Sequence, residues 1–196
     1  MKENKLQAKD FITIGIYTAI LAAISLVVSF TMLIPIFIVI SAFLIPVIDG
    51  IPFMLFITKI KKFGMVSIMG TLSGIINCVL GMGIYTIPTG ILFGVLADLV
   101  LFSGNYKSRV KAVLGYGVYS MWLIGNYITV ILTRESYYKM LLDGGVTQDY
   151  LDEISKYVPD QSLIWLLVAC FIGGIAGGFI GLKMHKKHFE RAGITK

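Results

Sequence analysis

Two aspartates, Asp49 and Asp98, are the only carboxylates within the long apolar stretches of the 196-residue chain. Paired carboxylates can perform general acid and base catalysis, and a carboxylate inside a membrane is costly unless it has a partner. Asp98 precedes Ser103 by five residues, so it would lie about 7 to 8 Å from the end of its helix, within reach of Lys107 or Arg109. We interpret Asp98 as a satisfied carboxylate at the membrane interface, with a role in partner contact as the alternative.

Asp49 would lie deeper, roughly 15 Å from Lys59 and near the middle of the membrane if its helix continues. The neighbouring Pro46, Gly50 and Pro52 predict a broken helix whose free amides accept the carboxylate. A functional role and a purely local structural role are both compatible with this position.

A second polar group consists of two amides and three aromatic side chains near the predicted outer side. Asn77 and Asn126 would both stand about 20 Å from the inner edge of their spans, at one depth. Tyr119, Trp122 and Asn126 recur on one helix face, and Trp165 enters from the next span. Together they predict an outward-opening pocket for a small, flat, polar ligand. The alternative is hydrogen bonding between helices for the amides and an interfacial aromatic belt for Trp165.

Other catalytic classes lack the residues that they need. His185 and His188 follow the last apolar stretch, so they cannot form a serine–histidine pair or a metal centre inside the membrane. Cys78 and Cys170 lie in apolar stretches without CxxC spacing, and we interpret them as buried thiols. A GxxxxGK[ST] phosphate loop is also missing from the sequence. We therefore expect no enzyme activity, no cofactor and no metal.

Membrane helices must position these polar residues. The chain is 57% hydrophobic and 14% charged, with a mean hydropathy of +0.84, which is too apolar for a soluble domain. The lengths of the apolar stretches are close to the length of a membrane-spanning helix, which is about 20 residues. We predict an all-α integral membrane protein with one membrane domain over residues 1–196 and six transmembrane helices. The predicted spans cover residues 11–30, 32–58, 65–83, 88–103, 112–133 and 162–184.

The basic residues predict the orientation of these spans. If the six spans alternate, Arg134, Lys139 and Lys156 lie outside, and the other Lys and Arg residues lie on the side of the two termini. Because basic loops stay in the cytoplasm, both termini are predicted to be cytoplasmic in a multi-pass protein of the cell membrane. The net charge of +6 therefore indicates orientation and contact with the lipid bilayer, not a nucleic-acid partner.

The long polar segment, residues 134–161, would lie outside. Gly144 and Gly145 divide it into two short helices, and Thr147 is a candidate N-cap of the second. The second helix carries an apolar stripe at helical spacing: Tyr150, Ile154 and Tyr157. The segment is either a surface flap that rests on the bundle or a lid over an external site.

Small residues occupy one face of the first span and much of the last. The first-span set is Gly15, Ala19, Ala22 and Ala23, opposite the bulky Ile14, Ile16, Ile20, Leu21 and Ile24. In a membrane, such a flat face permits close helix contact, either with this chain or with a different protein. The last-span set is Gly173, Gly174, Gly177, Gly178 and Gly181, and we interpret it as packing within the chain.

Three stretches of the chain resemble the Trep_Strep group, also called the MptD family. They are the opening KLQAKD of residues 5–10 leading into Phe11, the Ala19-xxx-Ala23 pair, and the closing KHFERAGI of residues 187–194. The likeness covers the whole chain, and the closing string is its most specific part. Members are substrate-binding S components of energy-coupling factor (ECF) transporters.

The resemblance implies an S-component-like bundle that captures a small-molecule substrate, a micronutrient or vitamin, outside the cell. A transmembrane coupling subunit and, through it, two cytoplasmic ATPases would power release, while the S component topples in the membrane. The family's docking role falls here on Ala19 and Ala23, and Gly15 and Ala22 extend the flat surface on physical grounds. Ligand residues vary among S components, so the pocket residues are not transferred from the family, and Asp49 has no family counterpart.

Two other functions remain alternatives. A small intramembrane enzyme would use Asp49 and Asp98 and would show turnover as a single chain. A non-transporting membrane assembly subunit would have no outward pocket.

Overall fold

The computed structural model describes residues 6–184. His185, His188 and the closing string at 187–194 lie outside the described residues, as do Lys2 and Lys5. Within 6–184 the chain is helical and contains no strand, which confirms the predicted all-α class. The helices are α1 (Ala8–Ser29), α2 (Ile36–Lys59), α3 (Met65–Asn77), α4 (Thr86–Ser103), α5 (Arg109–Ser120), α6 (Ile124–Leu132), α7 (Arg134–Asp143), α8 (Gln148–Tyr157) and α9 (Ser162–Met184).

Five helical stretches in the described residues are long and apolar enough to cross a membrane. They are Ala8–Leu33, Ile36–Lys59, Met65–Met82, Thr86–Ser103 and Ser162–Met184. The remaining predicted span, 112–133, is divided into α5 and α6 by a 3₁₀ turn at Met121–Leu123, so neither helix alone has the required length.

An ion pair joins the beginning of α1 to the turn after α2. Gln7 and Asp10 form a capping box, in which the Gln7 N–H donates to Asp10 Oδ2 at 2.8 Å. Lys62 Nζ lies 2.6 Å from the same oxygen. The beginning of α1 and the end of α2 therefore lie at one end of the bundle, as an antiparallel pair of spans requires.

The predicted break in the second span is wrong. α2 continues from Ile36 to Lys59 through Pro46 and Pro52. Gly50 serves helix packing, because a Cβ atom at this position would lie 2.2 Å from the backbone of Gly177 in α9. The glycine therefore permits close approach of two helices and does not interrupt its own helix.

The glycines of α9 pack within the chain, which confirms that interpretation. At Gly173 and Gly177 a Cβ atom would lie 2.5 Å and 2.3 Å from backbone oxygens of α2. At Gly174 it would lie 2.2 Å from Ser120 Oγ of α5. Gly173 and Gly177, four residues apart, face α2, whereas Gly174 faces α5, as the period of an α-helix requires. α9 is therefore held between α2 and α5 at the centre of the bundle.

Helices α3 and α4 form a second tightly packed pair. A Cβ atom at Gly70 would lie 2.4 Å from the carbonyl oxygen of Gly90. The Thr86 hydroxyl donates to the carbonyl of Gly74 at 2.8 Å. A wide π-type turn, Cys78–Met82, follows α3. Asn77 is therefore the last residue of α3 and lies next to this turn.

Candidate functional site

A cavity of about 580 Å³ lies in the half of the bundle opposite the Asp10–Lys62 pair. The later turns of α1 and the early turns of α2 form one wall, from Ala22 to Ser29 and from Ile38 to Ile45. The end of α3 and helix α6 form another wall, and the segment with α7 and α8 covers the space. The volume lies within the range of sites for small organic ligands.

The two predicted amides both line this cavity. Asn77 Nδ2 donates to the Ser73 carbonyl at 3.1 Å, which fixes its side chain against its own helix. Asn126 Oδ1 is buried and accepts no hydrogen bond from the described part of the chain. The two amides, which the sequence placed at one depth in the membrane, thus lie in the wall of the same cavity.

The three predicted aromatic residues lie elsewhere, so the structure does not form one pocket from all five candidates. Tyr119 is buried, with its ring centroid 4.9 Å from that of Phe53 and its hydroxyl 3.2 Å from Ser73 Oγ. Trp122 is also buried, whereas Trp165 is 74% exposed on α9. None of the three lines the cavity.

The 3₁₀ turn explains why Tyr119 and Trp122 separate from Asn126. This turn, Met121–Leu123, advances about 120° per residue instead of about 100°, so the face beyond it is rotated. The sequence prediction assumes an unbroken α-helix over residues 119–126, which would place the three side chains on one face. Because the turn interrupts this helix, they do not share a face in the structure.

Hydroxyl groups in the wall were missed by the sequence analysis. Ser41 Oγ lies 2.9 Å from the Tyr127 hydroxyl, and both groups donate to the carbonyl of Ile38. Tyr127 follows Asn126 directly, and Ser41 is an isolated hydroxyl in an apolar stretch. These two features were the only hints in the sequence that the hydroxyls belong to a site. The two residues are 86 positions apart, and only the fold brings them together.

The polar segment 134–161 folds as the predicted two helices, with Gly144 and Gly145 between them. The Thr147 hydroxyl accepts from the Tyr150 N–H, which confirms the N-cap. The face that packs is rotated from the predicted stripe: Leu151, Ile154 and Val158 are buried, whereas Tyr157 is 40% exposed.

The segment is fastened over the cavity through Tyr150, and Arg134 joins the two ends of the segment to each other. The Tyr150 hydroxyl donates to the Met32 carbonyl, and burial raises the pKa of this phenol, so it remains a proton donor. Arg134 Nη2 donates to the Val158 carbonyl at 2.8 Å and pairs with Asp160 at 3.0 Å. Tyr150 itself lines the cavity, so the segment forms part of the wall of the site.

Neither intramembrane aspartate lines the cavity. Asp98 is fully buried, and its Oδ2 accepts from the N–H and from the hydroxyl of Ser67, both at 2.7 Å. The Asp98 carboxylate therefore caps the beginning of α3. The partner of Asp98 is Ser67, and not Lys107 or Arg109 as the sequence predicted. Asp49 Oδ2 accepts from Ser25 Oγ at 3.3 Å, so α1 supplies its partner and not a broken α2.

The small-residue face of α1 is mostly exposed. Gly15, Ala19 and Ala23 lie on the surface, and Ala22 is half-buried at the cavity. A Cβ atom at Gly15 would meet no atom of the described chain within 4 Å.

The side of α1 that packs against the bundle carries four buried residues within its apolar stretch: Ile14, Thr18, Leu21 and Val28. Ile16 and Ile20, predicted on the bulky side, are exposed as well. Within the described residues, Gly15, Ala19 and Ala23 are therefore turned away from the side of α1 that packs against the bundle.

Comparison with known proteins finds one family whose model matches nearly the whole chain. The protein-family model Trep_Strep, described as a hypothetical bacterial integral membrane protein, matches residues 8–191. No curated protein and no solved structure matches the chain.

Proposed function

Since this chain belongs to the Trep_Strep family of hypothetical bacterial integral membrane proteins, we propose that it is the S component of an ECF-type importer. It captures a small micronutrient-like molecule outside the cell and passes it to a transmembrane coupling subunit that two cytoplasmic ATPases power. The observation that carries this proposal is the cavity of about 580 Å³, which the 134–161 segment partly covers. A pure assembly subunit has no need for such a space.

The proposal includes six crossings with both termini in the cytoplasm. The sixth crossing is the α5–α6 pair, which together extends from Arg109 to Leu132. The Asp10–Lys62 pair lies at the end of the bundle that carries most basic residues, and this end faces the cytoplasm. The cavity and the 134–161 segment then face outward, where a substrate arrives.

Docking occurs through the exposed small-residue face of α1. Apolar side chains gain little by leaving lipid for another helix, so close backbone contact must supply the association energy. Gly15, Ala19 and Ala23 permit that contact, since no side chain larger than a methyl group projects from them.

The docking face is tested by placing a bulky ring on it. Ala19→Trp combined with Ala23→Trp should reduce co-purification with the coupling subunit at least about tenfold, because the ridge separates the two backbones. Leu92→Trp is the matched control, because Leu92 is exposed on α4. The double variant should retain its fold and its small-molecule binding, and co-purification equal to that of the control would contradict the proposal.

The substrate is sought by mass spectrometry of small molecules that remain with the purified protein. A compound bound at about one molecule per chain supports the S component. The enzyme alternative has less support, because Asp49 and Asp98 are engaged with Ser25 and Ser67 and neither carboxylate lines the cavity. Turnover by the purified chain that disappears in Asp49→Asn and Asp98→Asn would overturn the transporter proposal.

A further inference from the structure

Two walls of the cavity are not tied to each other: the end of α1 and the turn that follows α3. The hydroxyls of Ser29 and Thr31 donate to carbonyls of their own helical turns, and the Met32 carbonyl accepts from Tyr150 of α8. Within the described residues, no hydrogen bond joins this end of α1 to the turn Cys78–Met82. The cavity therefore has a flank without a polar connection.

Three leucine side chains form the edges of this flank. Leu26 and Leu33 on the side of α1 and Leu80 of the turn all line the cavity, yet each is at least half exposed. Side chains that line an internal space and are also exposed mark a place where that space meets the surface. We call the place between these three leucines the side opening. They belong to the stretches Ala8–Leu33 and Met65–Met82, which are apolar enough to cross a membrane, so the side opening meets lipid.

The surface next to the side opening is apolar as well. Val27, Phe30 and Val79 are each at least 67% exposed and do not line the cavity. The edge of the cavity at the polar segment is different, because Gly145 and Thr147 are exposed there and present backbone and hydroxyl groups. The cavity thus has a polar edge toward water and an apolar edge toward lipid.

The wall itself suits a mainly apolar molecule. Among the described residues that line it, none is Asp, Glu, Lys, Arg or His, and more than half have aliphatic or methionine side chains. The neutral polar groups offer donors and acceptors alike. Asn126 Nδ2 and the Tyr137 hydroxyl have no acceptor in the described chain, whereas the oxygens of Ser41 and Tyr127 keep lone pairs after they donate to the Ile38 carbonyl. A polar group of either kind is therefore accommodated on an otherwise apolar ligand.

We propose that the cavity binds a lipophilic molecule that reaches it from the outer leaflet of the bilayer through the side opening. This assignment rests on the proposed function, which turns the cavity toward the outer side, and it narrows the substrate class. A molecule dissolved in the bilayer meets Leu26 and Leu80 by lateral diffusion. The route from water is partly covered by the 134–161 segment, which the Tyr150 hydroxyl ties to Met32. The sequence alone favours a flat, polar ligand held between aromatic rings, whereas the wall and its edges favour a lipophilic one.

Two photoreactive alcohols test the ligand class on the unmodified chain. Dodecanol with a terminal diazirine partitions into the bilayer, and butanol with the same group stays mainly in water. The chain is illuminated in proteoliposomes with either probe, and labelled residues are located by mass spectrometry. Ile45 is compared with Phe53, because both are buried in α2 but only Ile45 lines the cavity. The dodecanol probe should label Ile45 at least about tenfold more than Phe53, and the butanol probe should not.

Paired tryptophan substitutions locate the route. Leu26→Trp combined with Leu80→Trp narrows the side opening, so the rate at which the dodecanol probe reaches Ile45 should fall at least about tenfold. The rate is read by varying the time between addition of the probe and a flash of ultraviolet light. Val27→Trp combined with Val79→Trp is the matched control, because these neighbours are exposed on the same two stretches but do not line the cavity. The control pair should keep the rate of the unmodified chain.

Three results would overturn the assignment. They are equal labelling of Ile45 and Phe53 by the dodecanol probe, labelling of Ile45 by the butanol probe that is as strong as by dodecanol, and equal rates for the two tryptophan pairs. If Leu26→Trp with Leu80→Trp does not fold, the comparison of the two probes on the unmodified chain still decides. These measurements use the single chain, so failure of the importer proposal, seen as no association with a coupling subunit, is a separate result.

The native molecule is either a lipid of the bilayer or another lipophilic compound dissolved in it. Solvent extraction of the purified chain followed by mass spectrometry separates these two sources, and either supports the assignment. A water-soluble compound bound in stoichiometric amount would contradict it.

Discussion

At the scale of single residues, the buried polar groups of this protein mainly connect one helix to another. Asp98 of α4 caps α3 through Ser67, and Ser25 of α1 donates to Asp49 of α2. Because water is absent at these depths, each group needs a partner within the chain. Asn126, which lines the cavity, differs from them in that its buried Oδ1 has no hydrogen-bond partner and its side chain joins no other helix within the described residues.

Replacement of Asp98 tests the capping role. Asp98→Ala leaves the Ser67 N–H without its acceptor, so the protein should lose about 1 to 3 kcal/mol of stability. Thermal unfolding of the purified protein in detergent measures the loss. Asp152→Ala, at an exposed position on α8, should change stability by less than about 0.5 kcal/mol. Equal melting temperatures for the two variants would argue against the cap.

At the scale of helices, glycine decides which elements touch. α9 contacts α2 and α5 through glycines on two sides, and α3 contacts α4 in the same way. α1 also carries small residues, but three of the four, Gly15, Ala19 and Ala23, face outward. The same residue type thus marks packing within the chain on α9 and an open surface on α1, and only the neighbours distinguish the two cases.

Matched alanine substitutions separate these two uses of glycine. Gly177→Ala places a Cβ atom 2.3 Å from the Pro46 carbonyl oxygen, so α9 must move away from α2, at a cost of about 2 kcal/mol or more. Gly15→Ala meets no neighbour and should be neutral or stabilising by up to about 1 kcal/mol. Thermal unfolding and the yield of monodisperse protein measure both, and similar values for the pair would contradict the packing.

At the scale of the whole molecule, a cavity at one end and the proposed docking face along one side are consistent with the proposed importer subunit. The long helix α1 takes part in both, because Ala22 and Ser25 line the cavity while Ala19 and Ala23 lie on the surface. A change in the tilt of α1 would therefore affect the cavity and the proposed docking face together.

Labelling with a membrane-impermeant maleimide tests the six crossings. In a chain with Cys78→Ala and Cys170→Ala, Lys139→Cys should react in whole cells, whereas Lys107→Cys should react only after the membrane is permeabilised. The two positions flank α5 and α6, so this pair asks directly whether these helices cross together. Labelling of both positions from the same side would mean that they do not.

The amino-acid sequence by itself determined the membrane class, the helical fold and nearly all helix positions, because apolar length and the placement of Pro, Gly and Lys act locally. It also located Asn77 and Asn126 at one depth, since rise per residue needs no tertiary information. Only the tertiary structure decided that α2 continues through Pro46 and Gly50, that a 3₁₀ turn rotates Trp122 away from Asn126, and that the wall of the cavity is aliphatic. These features depend on which helices meet, and contacts between residues far apart in the chain leave no periodic signal in the sequence.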